Sequence, residues 1–168
     1  MNSKATMREI QKLQMANSFW TLAKGNLYLF MNWKLVLVLA LSGVLTGALT
    51  LFYIPARFEA IITTPLFIAM AYLIGRYAQV AYFLHGALLG VVHTFIVTAI
   101  HIFWVGVYFE HHTKEAAQFA KMSAESGATV VQAMMLMGLF SSVIAGLVLG
   151  LFAIAAGRML QSLSGGKT

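Results

Sequence analysis

Cysteine is absent from the 168 residues, proline occurs twice, and only five residues are acidic. The lack of cysteine excludes disulfides, thiolate metal sites, iron–sulfur clusters and cysteine nucleophiles together. The scarcity of charge, at 10% against 60% hydrophobic residues and a mean hydropathy of +0.82, excludes a water-soluble globular domain, whose interior has too little room for so much apolar surface. Several chemical signatures are missing too. There is no His–Glu motif of a zinc protease, no phosphate-binding glycine loop, and no serine or carboxylate spaced with a base for hydrolysis. No internal repeat is visible, which leaves an inverted-repeat transporter without support. The reading is therefore of a protein that is not an enzyme and carries no resident cofactor.

What is present is a set of long apolar runs. A hydrocarbon core takes about 20 helical residues to cross, so the chain has room for three to five spans in one membrane domain. The first run, 33–54, is introduced by Lys34 and closed by Pro55. After the loop PARFEAIITTP, in which Pro65 marks a first helical turn or a kink, the chain stays apolar to Phe109, too long for one crossing. A turn is expected inside RYAQVAYFLHG, where Arg76, Gln79 and His85 are the strongly polar side chains. The spans are then 61–80 and 84–109, and a last span covers 134–157. Between the last two, the charge-rich stretch from Glu110 to about Val130 reads as a short surface helix. The expected fold is all-α: an integral membrane four-helix bundle, an amphipathic interfacial helix within 1–32, a core domain 33–158 and a tail 159–168. The N-terminal thirty residues are too polar and too long to read as a cleavable signal peptide.

The net charge of +6 belongs to this topology rather than to nucleic acid, because the basic residues flank apolar runs. One side of the four-span layout collects Lys4, Arg8, Lys12, Lys24, Lys34, Arg76, Arg158 and Lys167. The other holds Arg57, Lys114 and Lys121 together with four of the five acids, Glu59, Glu110, Glu115 and Glu125. Positive residues mark the cytoplasmic side, so both termini are expected there.

Gly43 and Gly47, Gly86 and Gly90, and Gly146 and Gly150 each stand four apart, a spacing that lines one helix face and lets backbones approach. These stripes serve packing within the chain or contact with other membrane subunits or further copies. His85, His93 and His101 recur at intervals of eight, about 12 Å apart along the axis, too far to share a metal. Two readings of His93 and His101 stand side by side. Either they hydrogen-bond across the bundle to Thr46, Thr50, Ser141 or Ser142, or one of them, beside Trp104, ligates a haem or pigment or binds a quinone. A proton path ranks below both, since no carboxylate is expected at the depth of the histidines. Glu110, His111, His112 and Glu115 read as a solvated cap on the third span, too few in ligands for a metal.

The stretch YFLHGALLGVVHTFIVTAIHIFWVGVYF and the later LMGLFSSVIAGLVLGLFAIAAGRML resemble a family of uncharacterised bacterial four-span membrane proteins. Phe83, Gly86, Ala87 and Gly90, the insert from Glu110 to Val130, and Gly146, Gly150 and Arg158 carry the likeness; the proline that such proteins often show after the third helix is missing. The resemblance implies four spans in a bacterial inner membrane and no assigned activity. The leading expectation is an accessory or structural subunit of a larger inner-membrane complex, surrounded by lipid and partnered by other subunits or by itself. The alternatives are a small oligomeric transporter or channel using Arg76, Gln79, His93 or His101, and a haem-, quinone- or pigment-binding subunit.

Overall fold

The computed structural model describes residues 31–78 and 80–165, and among them there is no β-strand. The expected interfacial helix within 1–32, Gln79 and Lys167 lie outside the described residues. Seven helical segments follow in order: α1 (Trp33–Ala40), α2 (Ser42–Phe52), α3 (Ala56–Tyr77), α4 (Tyr82–Phe103), α5 (Val105–His111), α6 (Thr113–Ser126) and α7 (Val130–Gly165). Leu41 between α1 and α2 keeps helical angles, so the two make one rod from Trp33 to Phe52. Together with 58–77, 82–103 and 130–163 this gives, among the described residues, four helices long and apolar enough to cross a membrane. Their outer faces agree: Leu37, Val38, Leu45, Leu139, Phe140 and Leu151 are all at least 60% exposed. Apolar surface of that extent fits a protein whose solvent is lipid.

Three boundaries differ from the sequence expectation, each for a local reason. The second span begins at Ala56 rather than near 61, because Pro55 serves as its cap and the chain turns helical at once. That places Glu59 in the first turn of α3 instead of a loop, and Pro65 inside the helix, where the hydroxyls of Thr63 and Thr64 bond back to the carbonyls of Glu59 and Ala60 at 2.7 Å. The last helix begins at Val130, four residues early, because Thr129 and Gln132 form a reciprocal capping box. It continues through Arg158 to Gly165, so most of the expected tail is helix. The chain between α3 and α4 turns at 78–81, within RYAQVAYFLHG, through Ala81 in the left-handed region at φ 56°. A side chain there costs about 1–2 kcal/mol. The Ala81 carbonyl accepts both the backbone N–H and the Nδ1–H of His85, at 3.1 and 3.0 Å, which offsets part of that strain.

The bundle is held by small residues. A methyl group built on Gly86 lands 2.6 Å from the Leu149 carbonyl, one on Gly90 lands 2.6 Å from that of Ala145, and one on Gly146 lands 2.7 Å from that of Ala87. The backbones of α4 and α7 are thus in direct contact over more than one turn. Gly75 meets the backbone of Gly157 in the same way, joining α3 to α7. Gly43 faces the His93 carbonyl and Gly47 the Ile100 side chain, seating the first rod on α4. All six stripe glycines are therefore used inside the chain.

Candidate functional site

α4 does not run straight into α5. Trp104 leaves the helical region with ψ 42°, and the chain resumes as α5 without a proline to force the break. Residues 101, 108 and 112 are separated by seven and four positions, which on helices put them on one side. Across the break their rings come together. His101 stacks on Tyr108 with centroids 4.3 Å apart and 21° between planes, and Tyr108 stacks on His112 at 4.3 Å and 16°. The three rings are all buried.

The first rod supplies their polar partners. His101 Nε2 lies 2.8 Å from the Thr50 hydroxyl, and His112 Nε2 lies 2.7 Å from the Thr50 carbonyl. A carbonyl only accepts, so His112 carries its proton on Nε2 and leaves Nδ1 as a bare lone pair when neutral. The Thr50 hydroxyl has one proton and three acceptors in reach: the carbonyls of Thr46 (2.9 Å) and Gly47 (3.2 Å), and His101 itself. The hydroxyl's orientation and the His101 tautomer are therefore matched: donating to Nε2 it suits a proton on Nδ1, and donating to a carbonyl it can accept from Nε2–H. One helical turn along, Thr46 approaches His93 Nε2 at 3.4 Å, and Phe67 of α3 closes over the His93 ring edge-on at 5.7 Å.

Among the described residues, the buried side-chain polar atoms with no hydrogen-bond partner are His93 Nδ1, His112 Nδ1 and Glu59 Oε1. Two belong to the histidine row. The third is close enough to act on it: burial first, then the charges of Glu59 and Glu115, raise the Tyr108 hydroxyl above the usual phenol range. Orphaned buried polar atoms are uncommon in folded proteins, and each asks for a chemical reason. A cavity of about 130 Å³, lined by Phe52, Tyr53, Ile54, Pro55, His111 and His112, lies at this end of the row.

The sequence-predicted residues divide accordingly. His93 and His101 sit in the row with Thr46 and Thr50, whereas Ser142 bonds to the Gly138 carbonyl of its own helix. Trp104 does not join the histidines; it is 47% exposed at the helix break and packs on Phe103. His93 and His101 are buried, 2% and 8% exposed, each beside a threonine of the first rod. Arg76 is exposed at the end of α3, and His85 is buried beside the Ala81 turn, with Nδ1 on the Ala81 carbonyl. The expected cap of Glu110, His111, His112 and Glu115 is solvated only in part: Glu110 and His111 are exposed, but His112 turns inward to 3% exposure. Glu59, half-buried in the first turn of α3, adds a carboxylate with one oxygen, Oε1, out of water. Sequence reading missed Tyr108 and Glu59 as site residues. The spacing of 101, 108 and 112 was the available signal for Tyr108; for Glu59 there was none, since its burial depends on where α3 starts.

No family model, no curated protein and no solved structure matches the chain.

Proposed function

We propose that this is a four-span membrane protein that binds and moves protons, a small transporter whose working part is the row of His93, His101 and His112. The observation that carries this reading is the pair of unpartnered Nδ1 atoms on imidazoles otherwise fixed by threonines and a tyrosine. At His112, whose Nε2–H is given to the Thr50 carbonyl, the neutral imidazole accepts a proton on Nδ1. The resulting cation is then buried with no acceptor for its new N–H, a costly state that opening of the bundle to water relieves. Proton uptake is in this way tied to conformation. Beyond His93 the inner side is filled by Leu89, Ile74 and Leu149, each fully buried, which suits a site open toward one face at a time rather than a continuous pore.

The accessory-subunit reading drew on short loops, the absence of a catalytic set and glycine stripes in excess of what the bundle needs, and of these the stripes are occupied within the chain. Four spans with both termini cytoplasmic remain the topology best supported by the distribution of Lys and Arg, and that topology puts α6 and the Glu59 end of the row on the opposite face. The test is proton entry into proteoliposomes under a potassium–valinomycin potential, read with an internal pH dye. Wild-type protein is expected to exceed protein-free vesicles by about tenfold, and the combined His93→Gln, His101→Gln, His112→Gln variant to lose most of that excess. Equal rates for variant and wild type, or a wild-type rate equal to empty vesicles, would reject the reading.

A further inference from the structure

Resting on that reading, we infer that Glu59 and His112, with the small cavity beside them, form the loading site at which protons enter the row. Three features lie at this end of the bundle, linked by Pro55, which lines the cavity and starts α3 four residues before Glu59. Glu59, in the first turn of α3, keeps Oε1 out of water with no hydrogen-bond partner. His112 is 3% exposed, points Nε2 at the Thr50 carbonyl, and has its Nδ1 lone pair unpartnered. The cavity lined by His111, His112 and the residues 52–55 that lead into α3 has a volume of about 130 Å³. A few water molecules fit that volume, and they need polar partners to stay. His112 and the turn of backbone before Glu59 supply them.

The groups around this point explain why a proton rather than a metal or alkali ion is the ligand. Tyr108 stacks against His112 from one side, and Glu115 of α6 adds a second carboxylate that acts on both Glu59 and Tyr108. His111 faces the cavity with Nδ1–H committed to the Val107 carbonyl at 3.0 Å. Lys121 is engaged elsewhere, with Glu125 at 3.7 Å. Among the described residues no three His, Asp or Glu side chains converge as metal ligands. Hard cations want six or more oxygens, which this end of the row does not offer. One carboxyl oxygen and one imidazole nitrogen, both without partners, are what a transferred proton requires: it leaves the carboxyl of Glu59, crosses by water, and forms the N–H bond at His112 Nδ1.

Dicyclohexylcarbodiimide, an apolar reagent that attacks protonated carboxyls, tests this without relying on flux. With the full-length protein in liposomes, adduct formation is expected at Glu59 in preference to the exposed Glu110 and Glu125, faster at pH 6 than at pH 8. Labelling of Glu59 no faster than of Glu110 would overturn the inference. Protection by sodium at constant pH would overturn it as well, in favour of a cation site. In the flux assay Glu59→Gln is expected to slow proton entry at least fivefold while Glu59→Asp retains part of it, with the elution profile of each variant showing that it folds. Selective labelling without any wild-type flux would keep the loading site and sink the transport reading. Wild-type flux untouched by Glu59→Gln, with no selective labelling, would do the reverse.

Discussion

Two parts of the surface of α4 are built on opposite principles. Toward α7, Gly86 and Gly90 press against Ala145, Gly146 and Gly150 with backbone on backbone. Toward the first rod, His93, His101 and His112 reach across to Thr46 and Thr50, and His93 and His112 each leave Nδ1 without a partner. In lipid, where burial of apolar surface gives helices little reason to associate, close packing and hydrogen bonds share the work of assembly. The first contact has no slack and no titratable group, so it behaves as a fixed spine. The second contains groups whose charge and proton positions can change, so it is the part that can respond.

Gly90→Leu is the sharpest way to break the spine. Even a methyl group there meets the Ala145 carbonyl at 2.6 Å, so the larger side chain has to force α4 and α7 apart. The expected cost is about 3 kcal/mol or more. Unfolding in mixed micelles measures it, and a loss below 1 kcal/mol would mean the two helices are not in backbone contact. Next in size is Thr50→Val, which keeps the shape but strips His101 of its hydroxyl partner while leaving the carbonyl for His112. A loss of about 1–2 kcal/mol is expected, with Thr50→Ser costing less. If valine and serine behave alike, the hydroxyl is not holding the histidine. Smallest is Gly106→Ala, at a glycine with open space around it. Relief of backbone entropy predicts a gain of about 0.5–1 kcal/mol by the same assay, and a clear loss there would show that glycine in α5 serves the break at Trp104.

The two regions also differ in how far they could be read in advance. The glycine pairs spaced by four announced a close helix contact, because that spacing repeats a helix face whatever the partner. Which helix would receive each pair was not legible: Gly86 and Gly146 could equally have faced a second copy. For the row, His93, His101, Thr46 and Thr50 were visible as polar residues in apolar runs, and a buried polar group must find a partner. Tyr108 and His112 were not, since they follow a helix break that no proline or glycine at position 104 signals. Trp104 was expected beside the histidines because it lies three residues from His101; the departure of its own backbone from helical angles turns it away.

Composition and hydropathy alone determined that the apolar runs are helices with apolar outer faces, because a backbone in lipid must satisfy its own hydrogen bonds. Only the tertiary structure decided which polar groups share a neighbourhood. Glu59, Thr50, His101, Tyr108 and His112 lie up to 62 positions apart in the chain. Their meeting depends on Pro55 starting α3 early enough to carry Glu59 inward, on Gly43 and Gly47 letting the first rod lie against α4, and on the bend at Trp104. Each of these is a matter of packing between segments, which spacing along one segment does not encode.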